Sequence, residues 1–428
     1  MRIFAIGLFV VSHAVCQAAE QQAPALPEPL TLEYALSLAE EVTPEMQLLQ
    51  ADILQAEAGI KDAESLTGFN SNVEMRAGYV DPPALSPDQD NEDYRLGIIA
   101  SKTLYDFGQS HAAEDAAQQL LASSKYNYFD ARQRRRIKIM RRYFDVILAD
   151  LQFSRYNEEM AVVFIDMDRI TERRKLGQAS DIEVLEKETA YQRIRHLRYK
   201  SQNEQRRTRA LLAQVLNRPG MLPDSLATPE LKSIKRKLAE VEKYQQVALA
   251  HNALLKSLQA QVAGLEQSVI QARRSDNPVL TGKIEAYSYS RDLSSNDRLR
   301  AGVVLEIPLW SGGTRDAKQA TAQAALYRVR ARRQQAELDI KQNVLETWLE
   351  LDALNVNLEE MHTTADYREL YLDRSRALYE MEVKADLGDS MVLVTEAERN
   401  LRDVEFRIAL AWERLDALTG GYMNLDTN

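Results

Sequence analysis

The sequence predicts a mostly α-helical chain that carries four β-strands and repeats one helix–strand–strand–long helix–helix unit twice. Three observations predict it. Gln109 to Leu176 contains neither Gly nor Pro and lies between Gly108 and Gly177. Thr314 to Leu387 is a second such run, between Gly313 and Gly388. Gly and Pro cost roughly 1 and 3 kcal/mol in a helix interior, so two continuous helical rods are expected. The third observation is a spacing. Gly97 and Gly108 recur as Gly302 and Gly313, each 205 residues later, and Asp181 recurs as Asp386. Upstream the offset is 209, taking Ala51 to Ala260, Ala63 to Ala272 and Ala77 to Ala286. A repeat at fixed offset constrains the architecture more than any single motif does.

The elements follow in order. Residues 1–18 read as a signal peptide: Arg2 is the charged start, Ile3 to Val11 the apolar core, and cleavage is expected after Ala18. Cys16 is the only cysteine. It raises a lipid anchor as the alternative, against which Val15 and His13 stand as poor residues for a lipoprotein cleavage box. Once the leader is removed, no disulfide or thiol chemistry remains. Residues 19–30, rich in Ala, Pro and Gln, form a flexible lead-in. The first repeat spans 31–216. Leu32, Ala35, Leu36 and Ala39 recur at helical spacing, Pro44 interrupts, and helix resumes to about Ser65. Strands are expected at about 72–80 and 94–105, with a Pro-rich acidic loop between them. The first rod follows, a break at Gly177 to Ser180, and a helix from Asp181 to about Leu216. Residues 217–229 hold three prolines and read as a linker. The second repeat, 230–419, runs through a helix at Lys237 to Arg273, strands at 282–289 and 299–310, the second rod, a break near Asp386 to Ser390, and a last helix to Leu418. Residues 420–428 form a tail.

The strands alternate with period two. Leu299, Ala301, Val303, Leu305, Ile307 and Leu309 make one face, and the repeat offset predicts Tyr94, Leu96, Ile98, Ala100 and Leu104 as its counterpart. Each strand is about ten residues long, the length that a tilted strand needs to cross a bilayer. In that reading the apolar face meets lipid. Glu74, Arg76, Lys283, Glu285, Arg300 and Glu306 face a lumen. Four strands cannot close a barrel, so several chains must pool theirs. A half-buried soluble sheet is the alternative. In the rods, Tyr156, Met160, Val163, Met167 and Ile170 step in coiled-coil rhythm, as do Met140, Phe144, Ile147 and Leu151, and Ile340, Val344, Thr347, Leu351 and Leu354. Arg132, Arg134, Arg135, Arg136, Lys138, Arg141 and Arg142 form a basic cluster, read first as a solvated helix face and second as an electrostatic band along a channel.

Composition narrows the function. A formal net charge of -10 argues against nucleic acid as a partner. Beyond the leader no 18-residue apolar run exists, so no membrane-spanning helix is expected, although a transmembrane strand leaves almost no hydropathy trace. The histidines at 13, 111, 196, 251 and 362 have no metal-site spacing, and Gly312-Gly313 is followed by no Lys-Ser/Thr. No enzyme, metal or cofactor is indicated.

These residues resemble the TolC-like outer-membrane factor family, the outer membrane efflux proteins, over nearly all of the mature chain. The resemblance rests on Leu32-x-x-Ala35-Leu36-x-x-Ala39 with Thr43-Pro44-Glu45. It rests also on Leu104-Tyr105-Asp106-Phe107-Gly108, on Ile307-Pro308-Leu309-Trp310-Ser311-Gly312-Gly313, and on the turn Gly177-x-x-Ser180-x-Ile182-x-Val184-Leu185. It implies a homotrimer with a 12-stranded β-barrel in the outer membrane of a Gram-negative cell, continued by a 12-helix α-barrel in the periplasm. It implies passive export in a tripartite efflux or type I secretion system, with a periplasmic membrane-fusion adaptor and an inner-membrane pump of RND, ABC or similar type. It implies that carboxylates three residues apart after the far turn narrow the entrance: Glu183 and Glu186 in the first repeat, with Asp386 and Asp389 at the same spacing in the second. Gly177, Ser180, Asp181 and Gly388 would form the periplasmic tip turns, although Glu382 stands where Gly177 stands in the first repeat. Helix N-terminal acids that favour the helix dipole are the alternative for these carboxylates. A soluble periplasmic coiled-coil adaptor is the alternative for the chain.

Overall fold

The computed structural model describes residues 26–222, 224–291, 296–381, 383 and 386–421. The leader and most of the lead-in, the tail beyond Gly421, and Glu382 lie outside them. Each half has the expected order of elements. In the first, α1 (Leu32–Ser37) and α2 (Pro44–Ser65) precede β1 (Phe69–Tyr79), β2 (Glu92–Tyr105), α3 (Gln109–Lys175) and α4 (Asp181–Val215). In the second, α5 (Val241–His251) and α6 (Ala253–Arg273) precede β3 (Val279–Tyr289), β4 (Leu299–Glu306), α7 (Thr314–Glu380) and α8 (Leu387–Leu418). Both rods, α3 and α7, contain 67 residues. At 1.5 Å per residue each is about 100 Å long.

The rods start alike because the same backbone geometry precedes them. Gly108 and Gly313 cap them at φ 83° and 86°, the left-handed region that glycine enters without a Cβ penalty. Asp106 completes the first joint: its carboxylate accepts from Gly108 N at 3.0 Å and Ser110 N at 2.7 Å. Burial pushes this carboxyl up, but the bonds from Ser110, Gly108 and Gln109 outweigh it and hold it below the usual range. In the second joint Ser311 takes this place and bonds Asp276 instead, at 2.8 Å.

The four strands form one antiparallel sheet in the order β1-β2-β3-β4. The helices form a long bundle. α2 and α4 pack along α3, α6 lies against α3 and α7, and α8 lies against α7 and α3. Two apolar cores result. One joins α5, α6, α7 and α8 around Tyr244, Val344, Leu351 and Trp412. The other joins α1, α3 and α4 to α8 around Ile139, Tyr143, Phe144 and Phe406. The Phe144 and Phe406 rings stack at 4.1 Å with 2° between their planes. The expected seam of α7 is buried at all five positions. Tyr156, Met160, Val163, Met167 and Ile170 are only half-buried.

Several expectations need correction. The second rod stops at Glu380, seven residues before the end that Gly388 suggests, and Gly388 lies inside α8. There a Cβ would meet Val162 of α3 at 2.7 Å, so the glycine serves close helix packing and not a turn. β4 ends at Glu306; Leu309 and Trp310 lie beyond it, 94% and 90% exposed. The helix expected over 237–273 breaks at Asn252, whose side chain accepts from Leu255 N and donates to the Leu418 carbonyl. The end of the lead-in is anchored. Leu30 is fully buried, donates from its N–H to Ser225 O at 3.1 Å and accepts from Ala227 N at 2.8 Å. The 217–229 segment is thus part of the packed body.

Five of the seven residues of the basic cluster make local bonds. Arg135 is buried and donates to the carbonyls of Leu38 and Glu41 and to Thr43 Oγ1, stitching the α1–α2 connection to α3. Arg132, Arg134, Arg136 and Arg142 pair with Glu40, Asp130, Glu413 and Asp145. This favours the solvated-face reading over a band of free positive charge.

Tyr143 carries the first prediction. Its hydroxyl lies 2.7 Å from Leu30 O and 2.5 Å from Ala227 O, and burial pushes its pKa up to about 12. Tyr143→Phe is expected to cost about 1–3 kcal/mol, read as a lower chemical-unfolding midpoint. A raised pKa contributes stability that is full below the ordinary tyrosine range and is lost as pH rises through the folded value. The parent should therefore lose more stability than the variant as pH climbs from about 10 to about 12.

Candidate functional site

Two places concentrate the residues singled out in the sequence: one face of the sheet, and the far ends of the rods. In the sheet, the register sets Glu74 opposite Gly97, Lys283 opposite Gly302, Glu285 opposite Arg300, and Arg76 opposite Arg95. All six expected charges, Glu74, Arg76, Lys283, Glu285, Arg300 and Glu306, therefore share one face. The other face carries Val73, Met75, Leu96, Ile98, Ile284, Leu299 and Val303.

The exposure of the two faces is inverted relative to a soluble sheet. Val73 is 63% exposed, Met75 80% and Leu299 70%. On the charged face, the side chains of Glu285 and Arg95 are only 12% and 28% exposed. Charges on this face are paired along the sheet. Arg95 binds Glu74, Lys283 binds Glu285 at 2.5 Å, and Arg300 binds Asp297 at 2.6 Å. Arg95, Tyr287 and Tyr289 belong to the same face and were missed by the charge list. The repeat offset takes Arg95 to Arg300 and would have found it. The two tyrosines look like ordinary strand residues in sequence.

At the far end, α3 and α4 meet in a Schellman turn. Gln178 N donates to Arg173 O and Gly177 N to Arg174 O, both at 2.9 Å, with Gly177 at φ 73°. Ser180 then caps α4 in a capping box with Glu183: Glu183 N donates to Ser180 Oγ at 3.2 Å, and Ser180 N to Glu183 Oε2 at 2.7 Å. These bonds from Ser180, backbone first, hold the Glu183 carboxyl below its usual range. Asp181 pairs with Arg174 at 2.5 Å. Glu186 is exposed and makes no bond among the described residues.

The second turn lies at the same end, since α8 begins against α3: Thr395 donates to Glu158 at 2.7 Å and Gly388 abuts Val162. Asp386 is the N-cap of α8, half-buried, and accepts from the Tyr371 hydroxyl at 3.0 Å. Asp389 is exposed three residues on. Counted from the helix starts, Asp386 and Asp389 match Ser180 and Glu183, not Glu183 and Glu186. The position matching Glu186 is Val392, which is buried. The two acid pairs are thus not equivalent, and of these four carboxylates Glu186 and Asp389 make no side-chain bond among the described residues. The Glu382 counterpart of Gly177 lies outside the described residues. No group of His, Cys, Asp and Glu among the described residues has the geometry to hold a metal ion. No helix among them is long and apolar enough to cross a membrane.

Against this geometry stand the comparisons with known proteins. Residues 245–421 match the family model of the outer membrane efflux proteins. Over 269 residues the chain is 26% identical to Protein CyaE of Bordetella pertussis. That match covers 62% of this chain and 57% of the relative, so the matched stretch spans little more than half of the relative's length. The structure resembles the outer membrane protein VceC of Vibrio cholerae with a TM-score of 0.73 at 16% identity, over 91% of this chain and 96% of that one. It resembles the Campylobacter jejuni outer membrane channel CmeC with a TM-score of 0.77 at 12% identity, over 92% and 88%. The fold is that of outer membrane efflux channels, and the second half carries an outer membrane efflux protein domain. The proteins it resembles are channels and efflux proteins, not enzymes.

Ser180→Ala is expected to weaken the start of α4 by about 1 kcal/mol. Hydrogen exchange on the intact protein should then show about fivefold faster exchange in the first turn of α4. The Glu183 carboxyl should titrate closer to its ordinary value. Its stabilising effect in the parent is present above that ordinary value and is lost as pH falls through the lowered one.

Proposed function

We propose that this chain is one protomer of a homotrimeric duct in the outer membrane of a Gram-negative cell. It conducts solutes passively from a periplasmic adaptor and an inner-membrane pump to the exterior, in an efflux or type I secretion system. The inverted exposure of the sheet carries the reading. One face stands outward with exposed apolar side chains, while on the other Glu74, Arg95, Lys283 and Glu285 are half-buried and Arg76, Arg300 and Glu306 stay exposed. An apolar face outward and a charged face inward is the arrangement of a barrel with lipid outside and water inside. The dimension agrees: Tyr94 to Leu104 spans about 33 Å along the strand, or about 23 Å across a bilayer at a 45° tilt, against an apolar band about 25 Å tall, with one charge on that face, Lys102, near the end of the span.

The same sheet supports assembly of several copies, and the resemblance to the outer-membrane factor family makes that number three. β1 and β4 each keep one unpaired edge. Such an edge cannot stand in hydrocarbon, where no water satisfies the backbone. Three copies give twelve strands, and the long helices below them give a twelve-helix α-barrel. The half-buried seam from Tyr156 to Ile170 is then covered by a neighbouring copy. A soluble coiled-coil adaptor is disfavoured, because such a protein has no use for a sheet with its apolar side chains outward. At the far end, Glu186 and Asp389, repeated by the threefold axis, would ring the entrance and favour cations. Glu183 and Asp386, held in local bonds, chiefly shape the turns.

Solubilised from membranes and weighed intact, the protein is expected to contain three chains. A monomer in detergent, or recovery in the soluble periplasmic fraction without detergent, sinks the reading. In planar bilayers, Glu186→Gln combined with Asp389→Asn is expected to move the reversal potential in a salt gradient toward zero. An unchanged cation preference would remove both carboxylates from the entrance.

A further inference from the structure

The charged face of the sheet holds one packing feature that ion pairing does not explain. Gly97 on β2 lies opposite Tyr287 on β3. The backbone there is not left-handed, so glycine is needed for space. A Cβ at position 97 would fall 2.1 Å from Cδ1 and 2.2 Å from Cε1 of Tyr287. The ring therefore lies down on the neighbouring strand, and it buries Gly97. The Arg95 guanidinium covers the ring at 4.9 Å from its centroid, close enough for a cation–π contact. Arg95 is itself fixed by Glu74 on β1. Tyr289 packs beside Tyr287, with centroids 5.7 Å apart. Glu74, Arg95 and Tyr287 thus form a chain of contacts across three strands.

A strand side chain ordinarily stands roughly perpendicular to its sheet. A tyrosine doing so on this face would project into the duct. We propose that Gly97, with the Arg95–Glu74 clamp, holds Tyr287 flat against the wall, and that this pair sets the free width of the duct at its level. The inference rests on the channel reading above and names width-determining residues within it. The pair occurs once per chain. The repeat offsets take Gly97 to Gly302 and relate Tyr287 to Gly78, so the equivalent junction has glycine on both sides. A threefold assembly would carry three such tyrosines at one height.

The test uses a reporter thiol deeper on the same face, Ser101→Cys, in full-length protein lacking Cys16. Intact cells are treated from outside with a bulky polymer-linked maleimide or with a small one. Gly97→Leu must displace the Tyr287 ring, and the open direction is into the duct. It is expected to slow the bulky reagent at least about fivefold and leave the small one unchanged, as a local narrowing requires. Adding Tyr287→Ala should restore the bulky rate to within about twofold of the parent. Tyr287→Ala alone should also stay within about twofold, because a ring already lying flat obstructs little. A Gly97→Leu rate equal to the parent overturns the proposal. So does a large acceleration by Tyr287→Ala alone, which would mean that the ring already projects. If Gly97→Leu does not assemble, the Tyr287→Ala result decides by itself. The ratios between variants report on this pair, and the parent's own labelling reports on the duct. A parent that resists both reagents from outside overturns the channel reading and this inference together.

Discussion

A sheet edge carries backbone N–H and C=O groups that only water or another strand can satisfy. In this protein the edge strands are β1 and β4, and both sheet faces lack a covering layer among the described residues. In hydrocarbon each unmade backbone bond costs several kcal/mol, so an open four-stranded sheet is not a stable state there. The remaining architecture is organised by that constraint. In the proposed duct the sheet is completed by other copies. In that assembly the rods beneath would also leave room for copies beside them, and the half-buried seam on the lower part of α3 is apolar enough to accept one.

Within a single chain, α8 does the work of joining the two halves. Phe406, Ala409 and Leu410 enter the core built by the first repeat. Val404, Ile408, Ala411, Trp412 and Leu415 enter the core of the second. A helix buried on two sides cannot satisfy one repeat alone. Its last turn is tied down by polar bonds as well: Arg236 pairs with Asp416 at 2.8 Å and lies 4.2 Å from the centre of the Trp412 ring. Breaking a pair as shielded as this leaves a buried charge without compensation, a much larger loss than for an exposed surface pair.

Much of this was legible in the residues. Period two gave the strands and their faces, because each side chain on a strand alternates strictly. The duplication gave the order of elements, and Gly108 and Gly313 gave the starts of both rods. The failures have physical causes. The second rod ends at Glu380 with no Gly or Pro to announce it. Asn252 breaks a helix by capping the next one, a role that its composition does not distinguish from an ordinary helical position. Gly388 looks like a stop, yet it is there because Val162 leaves no room for a side chain. The basic cluster suggested a field, whereas Arg135 spends its donors on backbone carbonyls that no sequence pattern reveals. At the turns, equal spacing made Asp386 and Asp389 look like Glu183 and Glu186. Helix starts, which spacing alone cannot fix, show otherwise.

The duplicated halves have diverged in a consistent direction. At the joint, Asp106 in one half is replaced by Ser311 in the other. In the sheet, Tyr287 covers Gly97, while the repeat offsets relate Tyr287 to Gly78 and Gly97 to Gly302. On the charged face, Glu74 and Arg76 correspond through the repeat to Lys283 and Glu285, with both signs reversed. At the far end, exposed Glu186 corresponds to buried Val392. Each half carries one charge of each sign at these two positions, and each pairs within its own half, as Glu74 does with Arg95 and Lys283 with Glu285. A ring of six identical charges would repel itself, and so would six tyrosines compete for one cross-section. In the proposed threefold duct, alternating two unlike halves around the axis would avoid both.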